Sequence, residues 1–204
     1  MAYATIRRGA SEGIWSIDSE EGSSFFIPRH LAVKLGFYEG QQIDEVQFNQ
    51  LKDEHEALRV REKALSLLAR RDHSHRELAL KLLQRGFEQT IVEKELHRLE
   101  ALNLLDDARF AASFVASRQA KHPEGKPMLQ ARLAQRGIDR EIINDVLSQW
   151  FDDEQQVEAA LSVAVKKLSR SCSSTDQLVF KLRKKGFSSK QIRIAMEKEH
   201  AALD

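Results

Sequence analysis

Cysteine is almost absent from this 204-residue chain: Cys172 stands alone, so no intramolecular disulfide can form, which fits a reducing compartment. No run of about 18 apolar residues occurs, so no membrane-spanning helix is expected. The first 13 residues lack the apolar core of a secretory signal. A glycine-rich phosphate loop is missing as well. Excess charge is missing too: 32 Lys and Arg face 31 Asp and Glu, for a net +1. Basicity of the whole chain therefore gives no argument for nucleic acid. The expectation is a soluble cytoplasmic protein with no cofactor, no metal and no membrane contact.

What is present is a patterned chain. Hydrophobic residues make up 42% and charged residues 31%, enough for buried cores and for long solvated faces. The charge is graded along the sequence. Residues 1–60 carry 6 basic and 10 acidic side chains, residues 61–108 carry 9 and 9, residues 109–153 carry 7 and 6, and residues 154–204 carry 10 and 6. An acidic head and a basic tail can orient a molecule on a polyanion or a charged protein lattice.

Residues 14–18 roughly alternate apolar and polar, a turn-prone stretch follows at residues 19–23, and Ser24 to Ile27 precede Pro28. A two-stranded hairpin is expected here, then a short helix from Arg29 to Leu35 ended by Gly36. A lone hairpin is marginal in water, so this head needs something to pack on.

Beyond Phe48 the pattern is helical and repeats. Three segments share one arrangement about a glycine: Leu78 to Phe87 around Gly86, Leu129 to Ile138 around Gly137, and Leu178 to Phe187 around Gly186. Leucine stands eight and four positions before each glycine, a basic residue five and one before it, and a large apolar residue directly after. Val92, Ile143 and Ile192 follow at one offset; Leu96, Leu147 and Met196 follow at another. Leucines four apart share one buried helical face. The glycine ends the helix at a position that calls for positive φ. Glu88, Asp139 or Ser188 then caps a second helix. Ser74 with Glu77, Ser174 with Gln177 and Ser188 with Gln191 have capping-box spacing. Upstream helices are expected over Glu62–Arg71, Asp107–Lys121 and Glu154–Ser169, with Asp106 and Asp107 placed to cap the middle one. The fold class that follows is mainly all-α: three tandem three-helix repeats, residues 56–106, 107–153 and 154–204, forming an elongated curved array behind an N-terminal extension, residues 1–55, that contains the hairpin. His122-Pro123-Glu124-Gly125-Lys126-Pro127, with two of the three prolines, reads as the widest linker.

The sequence offers no catalytic constellation. His73 and His75 are two apart, so a helix would turn them to different faces, and no Cys/His cluster joins them. The more informative set is basic: Lys81, Arg85, Arg132, Arg136, Lys181, Arg183, Lys184 and Lys185 sit before the three glycines. Stacked repeats would align most of them into a stripe for phosphate or acidic protein. The alternative is a set of solvated helix ends that complement the helix dipole. Paired helices joined at a glycine are also compatible with a DNA-reading helix-turn-helix, although Glu88 and Asp139 would meet phosphate unfavourably.

The run Ala64-Leu65-Ser66-Leu67-Leu68-Ala69-Arg70-Arg71-Asp72-His73-Ser74, then Glu77-Leu78, Lys81-Leu82, Arg85-Gly86-Phe87 and Leu104-Leu105-Asp106-Asp107-Ala108-Arg109-Phe110-Ala111, resembles the distinctive segment of the RecX family, regulators of the RecA recombinase. Gly86, Asp106, Asp107, Arg109 and Phe110 stand within that segment, and with the repeat glycines Gly137 and Gly186 they make up the candidate structural motif. The resemblance spans about residues 60–200. It implies a cytoplasmic, non-enzymatic monomer that acts in homologous recombination, DNA repair and the SOS response. It implies binding to RecA–single-stranded-DNA filaments, with direct single- or double-stranded DNA contact as a further expectation.

Overall fold

Four strands open the chain where the sequence pattern foretells two. The computed structural model describes residues 3–201, with side chains through residue 197. Residues 1–2 of the expected extension and 202–204 of the expected third repeat lie outside the described residues. Strands β1 (Ala4–Arg8), β2 (Ile14–Ser19), β3 (Ser24–Pro28) and β4 (Gln42–Ile43) form one antiparallel sheet in the order β3-β2-β1-β4. Alternation turns Ala4, Ile6, Trp15, Ile17 and Ile27 to one face, where all are buried. The short helix α1 (Arg29–Lys34) and the start of α2 (Glu45–Leu68) cover that face with Leu31, Ala32, Phe48 and Leu51. Each fully buried Ile contributes about 1.5–3 kcal/mol of transfer free energy, so this small sheet carries its own core.

Helix α2 corrects two expectations. It begins at Glu45, not Glu62, and a boundary at residue 55 falls inside it. Its start is a full capping box: the Asp44 carboxylate accepts the Gln47 N–H at 2.8 Å, and the Gln47 side chain accepts the Asp44 N–H at 3.1 Å. The helices that follow are α3 (His75–Leu83), α4 (Gln89–Ala101), α5 (Asp107–Lys121), α6 (Lys126–Gln135), α7 (Arg140–Asp152), α8 (Glu154–Ser169), α9 (Thr175–Lys184) and α10 (Ser189–Ala201). The chain divides into two compact units, residues 1–70 with 79–101, and residues 71–78 with 102–204.

In the first unit α2 packs on α4, with Val60, Ala64, Val92, Leu96 and Leu99 buried. Arg61 reaches the almost fully buried Glu95 through two hydrogen bonds of 2.7 and 2.9 Å. In the second unit α5, α6 and α7 enclose Phe110, Val115, Leu129, Leu133, Ile143 and Leu147. Helices α8, α9 and α10 enclose Leu161, Val165, Leu178, Leu182, Phe187 and Ile192, with Met196 partly buried against them. The six leucines that precede the glycines are all buried, which is why their spacing recurs.

Candidate functional site

Helices α3, α6 and α9 and the turns directly after them bear the candidate cations, and all three end alike. Gly86, Gly137 and Gly186 have φ of 82°, 79° and 84°. Their N–H groups donate to Leu83, Ala134 and Arg183 carbonyls at 2.9, 2.9 and 2.8 Å. The residue after the glycine folds back in two of them: Ile138 N–H donates to Leu133 and Phe187 N–H to Leu182. This is a glycine-based helix stop, and it sends the chain at once into the next helix. Caps start those helices. Ser188 and Gln191 exchange both bonds of a capping box, at 3.2 and 2.9 Å. Asp139 accepts from Glu141 N–H, and Glu88 from Ile91 N–H. The other two expected boxes are half-formed. Ser74 and Ser174 accept from Glu77 and Gln177 N–H, but Gln177 accepts from Ser173 instead. Glu77 turns to Arg71 at 3.1 Å and Arg136 at 3.4 Å.

The same glycine turns serve as docking points within the second unit. The Ser74 hydroxyl, at the start of α3, donates to the Arg136 carbonyl at 2.8 Å. The Gly125 N–H, at the start of α6, donates to the Lys185 carbonyl at 2.8 Å. In each case the N-cap residue of one middle helix meets the carbonyl just before the positive-φ glycine of the next. Arg76 lies over Gly137, and Met128 lies over Gly186. Asp107 adds to the first joint by accepting the His75 N–H at 2.8 Å. Asp106 caps α5 by accepting from Arg109 N–H at 2.9 Å. The Arg109 guanidinium holds the preceding turn through the Asn103 and Leu104 carbonyls, each at 3.2 Å, and lies 3.7 Å from Asp72. Phe110 is buried in the α5–α7 core.

The stretch read as a linker is the tightest part of the second joint. Pro123, Glu124 and Gly125 are buried. Gln119 pins the Glu124 backbone with two 2.8 Å bonds, its amide donating to the carbonyl and its oxygen accepting the N–H. The Glu124 carboxylate receives two bonds each from Arg118 (3.2 and 2.9 Å) and Arg132 (2.6 and 2.9 Å). Burial pushes its pKa up, yet the hydrogen bonds and charges of the two guanidinium groups outweigh that and hold it at about 2.

These contacts sort the eight candidate cations. Arg132 is committed to Glu124. Arg136 lies 4.4 Å over the Phe114 ring, pairs with Glu77 and bonds the Arg132 carbonyl. Both are engaged by contacts within the fold, so neither is free for the stripe that the sequence suggests. The Arg85 guanidinium folds back on the Lys81 carbonyl but stays exposed, with Lys81 half-buried. In α9, Lys181 bonds the Ser171 carbonyl and hydroxyl at 2.8 and 3.0 Å. Lys184 lies 4.7 Å over the ring of Phe180, itself 58% exposed. Arg183 is exposed on the same turn and Lys185 is half-buried. The last turns of α9 are thus the densest exposed cationic surface in the candidate set, with an outward aromatic ring that cation counting overlooks. Among the described residues no three His, Cys, Asp or Glu side chains group as a metal site, and no helix is long and apolar enough to cross a membrane.

Comparison with known proteins adds the lineage. The model of the first three-helix domain of RecX matches residues 61–99, and that of the second matches residues 106–147. Regulatory protein RecX of Chlorobium phaeobacteroides is 41% identical over 98 residues, which is 48% of this chain and 65% of that protein. Regulatory protein RecX of Chlorobaculum tepidum is 40% identical over 134 residues, covering 64% of this chain and 81% of that protein. A crystal structure of regulatory protein RecX has a TM-score of 0.71 at 20% identity, covering 97% of this chain and all of that one, a likeness of fold. With two three-helix domains matched in order and two fifths identity across most of a relative's length, the chain belongs to the RecX family of regulatory proteins.

Proposed function

We propose that this protein binds RecA–single-stranded-DNA filaments and modulates them, mainly by inhibiting extension, ATPase turnover, strand exchange and co-protease activity. It acts in the cytoplasm as a monomer and without catalysis of its own. The three helical groups, α2 to α4, α5 to α7 and α8 to α10, are the modules that engage the lattice. Family membership supports RecA as the partner. The observation that carries the reading is the α9 surface, where Arg183 and Lys184 are exposed, Lys181 and Lys185 lie beside them, and residues 154–204 have a net charge of +4. Such a surface attracts an assembly that displays phosphate or carboxylate. Arg132 and Arg136 serve it indirectly, by fixing the joints between helical groups.

A second reading, direct DNA binding of helix-turn-helix type, draws on the third group alone. Helix α10 is capped by Ser188 rather than a carboxylate, and its exposed Lys190 and Arg193 would tolerate a phosphate backbone.

The test is RecA's single-strand-dependent ATPase, titrated with wild-type protein and with an Arg183→Glu, Lys184→Glu double variant. Wild type slows turnover at substoichiometric amounts, and the double variant needs about tenfold more protein for the same effect at an unchanged melting temperature, as expected for lost charge pairing at an interface. An ATPase rate that stays flat across the wild-type titration refutes the proposal. Tight binding to DNA without RecA, with a steep salt dependence, supports the second reading.

A further inference from the structure

The outer strand of the N-terminal sheet is unguarded. β3 reads Ser24-Phe25-Phe26-Ile27-Pro28 and holds no charge, while Phe26 is 61% exposed. Proteins protect a free sheet edge with charged side chains, proline, a bulge or a covering segment. Among the described residues, the one such guard on β3 is Pro28, at its last position.

The pairing register determines which groups point outward. At one end of the β2–β3 ladder the Ser19 N–H donates to the Ser23 carbonyl at 2.8 Å, and at the other the Arg29 N–H donates to the Gly13 carbonyl at 2.8 Å. Bonded pairs therefore fall on odd-numbered residues, Ile17 with Phe25 and Trp15 with Ile27. The N–H and carbonyl groups of Ser24 and Phe26 point away from β2, along the terminal edge.

Beside that edge a cleft of about 640 Å³ opens between β3 and α2. Phe25, Pro28 and Ile14 give it an apolar wall. The Phe25 ring is braced edge-on by Phe48 at 5.3 Å and stacked on His55 at 6.1 Å. Burial, and then the neighbouring Arg59, lower the His55 pKa, so at neutral pH its imidazole extends the uncharged wall. The one acidic residue of the lining, Glu56, is engaged, accepting the Glu88 N–H at 2.8 Å. Lys52 and Arg59 remain as exposed charges on the rim, with the Arg59 guanidinium 5.5 Å over the Phe87 ring.

We propose that β3 takes an extended acidic segment of a partner protein as an added strand, with alternate carboxylates meeting Lys52 and Arg59. Backbone pairing along Ser24 and Phe26 supplies the attachment, and the cationic rim supplies the preference. Residues 1–60 carry a net −4, so the rim is a local exception. Screening over about 8 Å at physiological salt lets it act locally. This inference stands apart from the reading of α9.

The probes are fluorescein-labelled short peptides of alternating Glu and Val, against a Lys-Val counterpart, followed by fluorescence anisotropy with the full chain. The acidic peptide binds and the basic one does not. Phe26→Pro removes an outward N–H while leaving every bond to β2 in place, so it abolishes binding at an unchanged melting temperature. Lys52→Glu with Arg59→Glu weakens binding about tenfold or more, and this variant decides the matter if Phe26→Pro fails to fold. Equal binding of both peptides, or binding indifferent to these substitutions, overturns the proposal. So does a wild-type dimer in sedimentation that Phe26→Pro dissolves, because a second copy would then be the occupant.

Discussion

Replacing Gly125 with alanine adds one methyl group to a surface position on paper, and the structure makes it one of the costliest changes in the chain. A Cβ there would lie 1.7 Å from the Gly186 carbonyl oxygen, 2.1 Å from its carbon and 2.7 Å from the Phe187 nitrogen. All three are backbone atoms, so no rotamer relieves the clash. Ordinary contact needs about 3.5 Å, so the two chains must part by roughly 1.5–2 Å. The Gly125 N–H bond to the Lys185 carbonyl, 2.8 Å long, does not survive that separation. The buried Gly125 N–H left without its partner costs about 1–3 kcal/mol. Overpacking adds about 1–3 kcal/mol, so the expected loss is about 4 kcal/mol. Torsional strain contributes nothing, because Gly125 has φ −73° and ψ 164°, which alanine adopts freely. The control is Gly86→Ala: φ is +82° and nothing lies within 4 Å of the added Cβ, so only a conformational cost of about 1–2 kcal/mol applies. Urea denaturation gives the totals, and amide exchange over residues 122–129 and 182–188 localises them. A loss below about 1 kcal/mol for Gly125→Ala, or exchange unchanged over both stretches, refutes the joint as described.

Two further perturbations probe the same architecture. Glu124→Gln leaves Arg118 and Arg132 facing a neutral amide and costs about 3 kcal/mol at neutral pH. The folded-state pKa of about 2 lies below the ordinary 4.5, so the contribution of this carboxylate is full above pH 4.5 and fades as pH falls toward 2. Wild-type and Glu124→Gln stabilities, followed by denaturation across that window, should therefore converge in acid; a constant gap would show that the carboxylate charge is not the source. Ser74→Ala removes both a cap to Glu77 and the bond to Arg136, leaving a part-buried carbonyl without its donor, for about 2–3 kcal/mol by chemical denaturation. A loss of only a few tenths would mean that water replaces the hydroxyl.

The helical part of this fold was legible because one constraint repeats three times. Leu78 and Leu82, Leu129 and Leu133, and Leu178 and Leu182 must share a buried face, and a positive-φ glycine must follow. A single-residue spacing rule exposes both. The sheet was half legible. β2 and β3 alternate visibly, while β1 starts with a small Ala4 and β4 has only two residues, so neither carries the enrichment that marks a strand. The start of α2 is not legible because Glu45–Leu68 has a weak apolar stripe in its first turns, covered by the sheet rather than by another helix. The joint at residues 123–125 looks like a linker in the sequence for a physical reason as well. Proline and glycine mark both loose linkers and close backbone approaches, and composition does not distinguish the two. Only the partner backbone at Gly186, 61 positions further on, tells which one is present.

The cations show the same limit from the other side. Equivalent positions in the repeats carry Lys81, Arg132 and Lys181, and then Arg85, Arg136 and Lys185, yet their duties diverge with their neighbours. A guanidinium beside a buried carboxylate is held more strongly than an exposed interface would hold it, because stranding Glu124 costs about 3–5 kcal/mol whereas an exposed ion pair returns about 0–1 kcal/mol. Arg132 is therefore unavailable to a partner while the fold stands. Arg183 and Lys184 carry no such debt to a buried acid, and an incoming anion displaces only water and the weak Lys184 contact with Phe180. Sequence equivalence sets where a charge stands on its helix; the depth of the nearest opposite charge decides whether it can be used by anything else.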